Sequence, residues 1–242
     1  MDFVGIDLAW GMRARTGVAV ADDSGALVAS GSVRSDADLD AWLSARAPAP
    51  LVVAVDAPLV VPNATGMRDG ERALGRAFAR YQAGCHVSNR SRPWFDPPRG
   101  AVLADRHGWS LDPVAVPSPG RPVCLEVYPH AATVGLFRLG RTLKYKRGPV
   151  LARRGALIDL LARMTTLAPL ALSDSARWRE IEDAVAAATR PMHLDAVEDE
   201  VDAIVCAHLA WLWTHDRTAP QVYGDPALGA IVAPPPPTHR PG

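Results

Sequence analysis

The sequence is poor in several residue types and patterns, and each shortage excludes a class of protein. Its 242 residues include only three cysteines, at positions 85, 124 and 206. They are odd in number and far apart, which argues against a disulfide framework or a Cys-x-x-Cys zinc site. No apolar run approaches the roughly 18 to 20 residues that span a bilayer. The first residues also lack the basic segment and long apolar stretch of a secretory signal. We therefore expect a cytoplasmic protein without membrane contact.

Net charge is also lacking, because 26 basic residues balance 26 acidic ones. Proteins that coat nucleic acid non-specifically depend on many cations to neutralise phosphates, so this class is disfavoured. The charges are nevertheless distributed unevenly. Residues 138–154 contain seven Lys or Arg and no acid, whereas residues 174–202 contain nine acids and three arginines. The molecule is expected to have a basic side and an acidic side.

The apolar pattern that is present predicts an α/β fold, in which a three-strand antiparallel meander is followed by helices and further strands. Strands are predicted at residues 2–8, 16–21, 26–33, 51–55, 122–127 and near 229–232, and helices at 36–46, 68–82, 129–137, 149–167, 175–189 and 195–215. Residues 1–232 are expected to form one domain. Within it, residues 83–121 are predicted to be an inserted loop, since ordinary connections are far shorter. The proline-rich residues 233–242 are predicted to be a disordered tail.

Three of the predicted strands end in a carboxylate. Asp7, Asp56 and Glu126 each come directly after an apolar run. Acids are disfavoured inside strands, and ligand sites in open α/β sheets lie beyond the carboxyl ends of the strands. A single acid in this position often caps the following turn or helix, but three of them favour a shared site.

Two further acids lie near the start of the last predicted helix. Asp195 and Glu198 have capping-box spacing, and stabilisation of the helix N-terminus alone explains acids in the first turn as well as a metal site does. Asp202 lies a turn too deep for that role, and Asp199 precedes it by three residues on the same face. The same face continues into small residues that would allow close packing against another element: Ala203, Cys206, Ala207 and Ala210.

Carboxylates that converge raise each other's pKa unless cations compensate them, and hard oxygen ligands suit Mg²⁺ or Mn²⁺. The predicted metal ligands are Asp7, Asp56, Glu126, Asp199 and Asp202, and all of these except Asp199 are also predicted to be catalytic. Two such ions can activate a water and stabilise the leaving oxygen of a phosphodiester. The expected function is therefore a nuclease that uses a two-metal mechanism.

Basic residues provide candidates for phosphate binding. Four arginines, from Arg68 to Arg80, recur every fourth residue on a predicted helix, although a solvated face in an arginine-rich chain explains this pattern as well. The chain has only two lysines, Lys144 and Lys146, which indicates a specific point charge, for example on a substrate phosphate. The predicted substrate-binding residues are Arg72, Arg76, Asn89, Lys144 and Lys146.

The inserted segment combines polar donors, among them Asn89, with the aromatic pair Trp94 and Phe95. Such aromatic residues can stack on bases, form a lid or pin the loop to the body of the protein. His86 and His130 are candidates for a general acid or for orienting a water, although a lone histidine is more often structural.

Four segments of the sequence, residues 4–10, 55–58, 125–130 and 199–203, together resemble a bacterial and archaeal family of unknown function. Its members are described as predicted nucleases with a ribonuclease-H-like fold. The resemblance implies a mixed sheet flanked by helices, with acids on the first strand, a later strand and a C-terminal helix. Asp7 matches the first-strand acid, and the Asp-x-x-Asp of Asp199 and Asp202 is similar to the terminal helix of Holliday-junction resolvases.

Two other functions stay open at this point. An ATPase or kinase of actin-like architecture also places an acid on the first strand before a meander, but it needs Gly/Thr-rich turns to hold phosphates. Here Asp7 is followed by Leu8-Ala9-Trp10, and the chain has no P-loop. A non-catalytic ribonuclease-H-like scaffold would be favoured by an incomplete or misplaced carboxylate set. The sequence leaves the kind of nucleic acid and the oligomeric state undetermined.

Overall fold

The computed structural model describes residues 1–11, 14–216 and 218–237. Five strands form one mixed sheet: β1 (Asp2–Asp7), β2 (Thr16–Ala21), β3 (Leu27–Val33), β4 (Pro50–Val55) and β5 (Val123–Glu126). Their order in the sheet is β3-β2-β1-β4-β5. The first three strands pair antiparallel, whereas β4 runs parallel to β1 and β5 parallel to β4. The predicted α/β class is confirmed, and the sheet is compatible with a ribonuclease-H-like fold.

Eight helices of the described chain flank this sheet. They are α1 (Asp36–Arg46), α2 (Asp69–Phe78), α3 (Arg99–Arg106), α4 (Pro129–Leu136), α5 (Val150–Met164), α6 (Ala176–Ala186), α7 (Pro191–Asp195) and α8 (Glu198–His215). Helices α1 and α3 pack on one face of the sheet, against Val4, Ile6 and their neighbours. The opposite face, which includes Phe3, packs against α8, with α5 and α6 outside it. The sheet therefore separates two apolar layers.

Several elements differ from the sequence prediction. The segment 83–121 is not wholly irregular, since it contains α3. The helix predicted at 195–215 is α8, which begins at Glu198, and it is preceded by a short helix absent from the prediction, α7, which ends at Asp195. Arg153 binds Asp195 on one side of the break between them and Glu198 on the other. A strand absent from the prediction, β6 (Gln221–Tyr223), pairs antiparallel with β7 (Ile231–Ala233). Both strands have only three residues, which is too short for alternation to be recognised.

The predicted disordered tail is packed at its beginning. Ala233 belongs to β7, and Pro234 and Pro237 are buried. The Pro237 carbonyl accepts hydrogen bonds from the Tyr81 hydroxyl and from Arg80. The rest of that segment, residues 238–242, lies outside the described residues.

No single helix of the described residues is both long enough and apolar enough to cross a bilayer. One bent pair, α5 with the segment 168–174 at an angle of 87°, passes the same test of length and composition.

Glycines let α8 lie directly on β1 and β2. A Cβ at Gly5 would lie 2.0 Å from the Ala203 carbonyl oxygen, and one at Gly17 would lie 1.8 Å from the Asp199 carbonyl oxygen. Atoms cannot approach so closely, so any larger residue would force the helix away from the sheet. The small residues predicted to face this contact on α8 are buried. The close approach brings the first turns of α8 beside the end of β1.

Candidate metal centre

Asp7 and Asp56 come together because their strands are paired in register. Ile6 lies opposite Val55. The residues that follow them along the chain, Asp7 and Asp56, therefore lie side by side. Because side chains alternate along a strand, both acids lie on the same face of the sheet as Gly5, the residue that contacts α8. The two carboxylates therefore end neighbouring parallel strands on the face covered by α8, as the sequence predicts for this pair.

Asp202 on α8 completes a group of three acids. One carboxylate oxygen each from Asp7, Asp56 and Asp202 lies within 4.8 Å of the other two. An ion that holds oxygens at about 2.1 Å separates opposite ligands by about 4.2 Å, so small side-chain rotations would bring all three oxygens onto one ion. The chemistry of the donor set fits Mg²⁺ or Mn²⁺.

Lys146 lies among the same carboxylates. Its ammonium nitrogen is 2.7 Å from Asp7 Oδ2, 2.6 Å from Asp202 Oδ2 and 3.1 Å from Asp199 Oδ1. We call Asp7, Asp56, Asp199, Asp202 and Lys146 the open cluster. Lys146 was predicted to bind a substrate phosphate, but in the structure its ammonium is engaged with acids of the protein.

Tyr145, the residue before Lys146, is fixed to α5 and α8. The Tyr145 hydroxyl donates to Asp202 Oδ1 at 2.6 Å. The Tyr145 carbonyl accepts from Arg153 Nε at 2.8 Å, and Arg153 in turn binds Glu198 at the start of α8. These contacts hold a segment without helix or strand in a defined position, so that Lys146 is directed at the carboxylates.

One carboxylate of the open cluster is left available for a ligand. The Asp56 carboxylate is partly buried and receives no hydrogen bond or salt bridge from the residues that the structure describes. Asp202 is 1% exposed, and its Oδ2 is paired with the Lys146 ammonium at 2.6 Å. A partly buried carboxylate without a partner is costly, and a hard cation is the partner that this set of acids would bind.

The pKa values of the open cluster reflect this crowding. Burial raises the pKa of Asp7 well above its ordinary value, and the nearby Asp56 and Asp202 raise it further against the opposing effect of Lys146. Burial likewise raises the pKa of Asp56 to about 8. Burial acts to lower the pKa of Lys146, but Asp202 and Asp7 outweigh it and hold that pKa well above its usual value. Lys146 therefore stays charged, whereas Asp7 and Asp56 hold a proton more tightly than ordinary carboxylates do, and a metal ion would have to displace it.

Glu126 does not join this group. Val55 lies opposite Glu126, so Glu126 shares a face with Val55 and points to the side of the sheet away from Asp56. There Arg68 donates to both Glu126 oxygens at 2.8 and 2.6 Å, and the backbone N–H of Leu59 donates at 2.9 Å. Arg68 also pairs with buried Glu71 at 2.8 Å. We call Arg68, Glu71 and Glu126 the closed cluster, and Glu126 is removed from the ligand set.

Four members of the open cluster, Asp7, Asp56, Lys146 and Asp199, line a cleft of about 660 Å³, and Asp202 is buried beside them. Among the described residues, the wall of this cleft carries three further cations, Arg15, Lys144 and Arg147, and two aromatic residues that are not fully buried, Trp10 and Tyr128. Lys144 was predicted from the sequence. The sequence does not mark Arg147 or Trp10 as a site residue. The only sequence signals for them are that Arg147 directly follows Lys146 and that Trp10 lies three residues after Asp7. No local pattern identifies Arg15, whose position depends on the turn after β1.

The remaining predicted substrate-binding residues lie elsewhere. Arg72 and Arg76 are exposed on α2 and do not line the cleft, and Arg72 donates to the Met67 carbonyl oxygen. Asn89 is buried, where its amide donates to the Gly66 carbonyl and accepts from Ser91. Its role in the structure is to shape its own loop.

Both candidate histidines line the cleft. His86 packs edge-on against Trp10, with 5.5 Å between ring centroids. His130 has its Nδ1 atom 3.4 Å from the Thr142 hydroxyl, and burial lowers the pKa of His130. His130 is therefore neutral at pH 7 and has the proton-accepting form of the imidazole.

Comparison with known protein families assigns the chain to one family. The family described as "Protein of unknown function (DUF429)" matches residues 5–227, a range that includes every acid of the open cluster and of the closed cluster. No curated protein and no solved structure matches the chain.

Proposed function

The chain belongs to this family of proteins of unknown function, and we propose from its site that it is a divalent-metal-dependent nuclease that hydrolyses phosphodiester bonds. The observation that carries the proposal is the meeting of Asp7, Asp56 and Asp202, whose oxygens lie within 4.8 Å of one another, with Asp7 and Asp56 lining a cleft. Hard oxygen ligands are the environment that Mg²⁺ and Mn²⁺ prefer, and one of these carboxylates, that of Asp56, has no hydrogen bond or salt bridge from the described residues.

An ion held by these three acids would supply a bound water of lowered pKa and would neutralise charge on the phosphate. Asp199 adds a fourth carboxylate on the same side, 3.1 Å from Lys146. Removing Glu126 from the ligand set therefore leaves four acids in contact range of one another or of Lys146. This remaining set is complete enough to favour an enzyme over a non-catalytic scaffold.

The wall of the cleft suits a nucleic acid strand. Arg15, Lys144 and Arg147 supply positive charge beside the carboxylates, where the phosphates of a bound strand would lie. Trp10 is 38% exposed, and edge-on contacts with Phe95 at 5.4 Å and with His86 fix the plane of its ring. An exposed aromatic ring of fixed orientation is a stacking surface for a base. These features favour a strand with unpaired bases next to the cleaved phosphate.

His130 is the residue of the cleft best suited to accept a proton during hydrolysis. It is neutral at pH 7 because burial lowers its pKa, and its ring lies 5.0 Å from that of Tyr145, the partner of Asp202. We infer that His130 orients or deprotonates the attacking water, and that Lys146 compensates the charge of Asp7 and Asp202.

Metal binding is tested first by thermal unfolding with and without Mn²⁺. Asp7→Asn is expected to remove the stabilisation by Mn²⁺, because it removes a ligand while keeping the shape of the side chain. Asp2→Asn, at the other end of the same strand, is the matched control and is expected to keep the stabilisation. Equal stabilisation of the wild type and Asp7→Asn would exclude the proposed site.

Activity is tested by Mn²⁺-dependent cleavage of single-stranded, duplex, hybrid and branched nucleic acids. The wild type is expected to cut substrates with unpaired bases, and Asp7→Asn is expected to lose about a hundredfold or more in rate, the order of effect of removing one strong electrostatic contact at a reacting centre. Stabilisation by nucleotide plus metal, without cleavage, would favour the actin-like ATPase instead. No stabilisation by either would favour a scaffold.

A further inference from the structure

The ammonium group of Lys146 lies where a second metal ion would otherwise be expected. It is within 3.1 Å of three carboxylates, those of Asp7, Asp199 and Asp202. Only Asp56, among the acids of the open cluster, has no contact with it. A single positive charge surrounded by three carboxylate oxygens is the arrangement of a bound cation, with the cation supplied by the chain itself.

The open cluster therefore divides into two overlapping cation positions. One is the position between Asp7, Asp56 and Asp202, whose oxygens lie within 4.8 Å of each other. The other is occupied by Lys146 and is formed by Asp7, Asp199 and Asp202. Asp7 and Asp202 belong to both. Two-metal sites have the same plan, in which two ions about 3.5 to 4 Å apart share carboxylates.

We propose that Lys146 takes the place of the second cation, so that the centre binds one divalent ion and not the two that the sequence predicts. The proposal rests on the metal centre of the proposed function. A second ion would have to displace an ammonium that touches three acids. Lys146 is also fixed through its neighbour Tyr145, which binds Asp202 and is itself held by Arg153.

The choice of lysine at this position agrees with that role. The chain has 26 basic residues, and all of them except Lys144 and Lys146 are arginines. An ammonium is a compact charge with three donors that fits among three oxygens, whereas the planar guanidinium of arginine suits a two-pronged contact with one carboxylate. An otherwise arginine-based sequence thus uses lysine where a metal-like charge is needed.

The test is the number of Mn²⁺ ions bound per chain, measured by isothermal titration calorimetry and by electron paramagnetic resonance of free Mn²⁺. The wild type is expected to bind one ion. Lys146→Met, which removes the charge and keeps most of the stem, is expected to bind two. Lys144→Met is the matched control, because Lys144 lines the same cleft but is exposed, and it is expected to bind one.

The outcomes separate this inference from the proposed function. Two ions in the wild type, together with cleavage of nucleic acid, would overturn the role of Lys146 and leave the nuclease intact. One ion in the wild type and two in Lys146→Met, without cleavage of any substrate, would support the role of Lys146 and contradict the nuclease. One ion in folded Lys146→Met, or none in the wild type, would overturn the inference. Two ions or none in the wild type would overturn the inference even if the variant does not fold.

Discussion

The open cluster and the closed cluster begin from the same sequence feature and reach opposite states. In both, an apolar parallel strand leads into an acid: Asp56 directly follows β4, and Glu126 is the last residue of β5. The Glu126 carboxylate is saturated by Arg68 and a backbone N–H. The Asp56 carboxylate has no hydrogen-bond or salt-bridge partner in the described chain. An acid at the end of a strand thus joins a structural ion pair if a cation from another part of the chain contacts it. Without such a cation, it is left available as a metal ligand.

The difference arises because Asp56 lies one position further along the chain than the residue that pairs with Glu126. Val55 lies opposite Glu126, so the two acids fall on opposite faces of the sheet. Asp56 faces α8, where the partners are further acids. Glu126 faces the segment after β4, where Arg68 bridges Glu126, Glu71 and the Val60 carbonyl. We infer that the closed cluster maintains the fold, whereas the open cluster lowers the stability of the metal-free protein in return for a binding site.

The largest expected effect is on the closed cluster. Arg68→Ala leaves the buried carboxylates of Glu71 and Glu126 without their cation, and it is expected to lower the free energy of unfolding by about 3 to 5 kcal/mol. Urea denaturation measures this change. Arg72→Ala, one turn further along α2 and exposed, is the control, and it is expected to change stability by less than about 0.5 kcal/mol. If Arg68→Ala lowered the free energy of unfolding as little as the control does, the closed cluster would not be important for stability.

The next effect concerns the pH dependence of metal binding by the open cluster. Burial raises the pKa of Asp56 to about 8, so below that pH a proton competes with the ion for this ligand. Mn²⁺ affinity is expected to fall by about tenfold per pH unit, or roughly a hundredfold from pH 8 to pH 6, if one proton is displaced. Calorimetric titrations at several pH values in buffers of different ionisation enthalpy measure both the affinity and the protons released. A pH-independent affinity would show that Asp56 is not a ligand.

The fold was predictable because its strands carry strong local signals. Residues 16–21 were predicted with the bounds that the structure shows, and β1 and β4 each differ from the prediction by one residue at one end. The failures are elements whose signals are weak or divided. The three-residue β6 is too short to show alternation, and the break between α7 and α8 depends on Arg153, which reaches it from another helix.

The site was predictable only in part, because contacts distant in sequence decide the state of each acid. β4 and β5 are buried on both faces, so their apolar runs do not alternate and do not reveal which face the terminal acid takes. Arg68, the partner of Glu126, lies 58 residues away from it. Lys146 was recognised as an unusual point charge, but its carboxylate partners are brought to it by the packing of α8, which no local pattern shows.

The smallest expected effect distinguishes the two clusters most directly. The unfolded chain releases the Asp56 proton near the ordinary carboxylate pKa of about 4, whereas the folded chain releases it near 8. A raised pKa in the folded state means that this group's contribution to stability is full below pH 4 and is lost as the pH rises towards 8. Asparagine has no proton to release in this range, so Asp56→Asn removes this loss of stability with rising pH.

We therefore expect Asp56→Asn to raise the free energy of unfolding of the metal-free protein by roughly 1 kcal/mol at pH 7.5, a value reduced for the partial exposure of the side chain to the cleft, and to have little effect at pH 4. Urea denaturation with a chelator measures this difference, and Asp2→Asn is the control. Glu126→Gln, the equivalent change in the closed cluster, is expected to lower the same free energy, since it weakens a buried pair with Arg68. If Asp56→Asn were to destabilise the metal-free protein as Glu126→Gln does, the open cluster would be structural as well, and the distinction between the two clusters would be wrong.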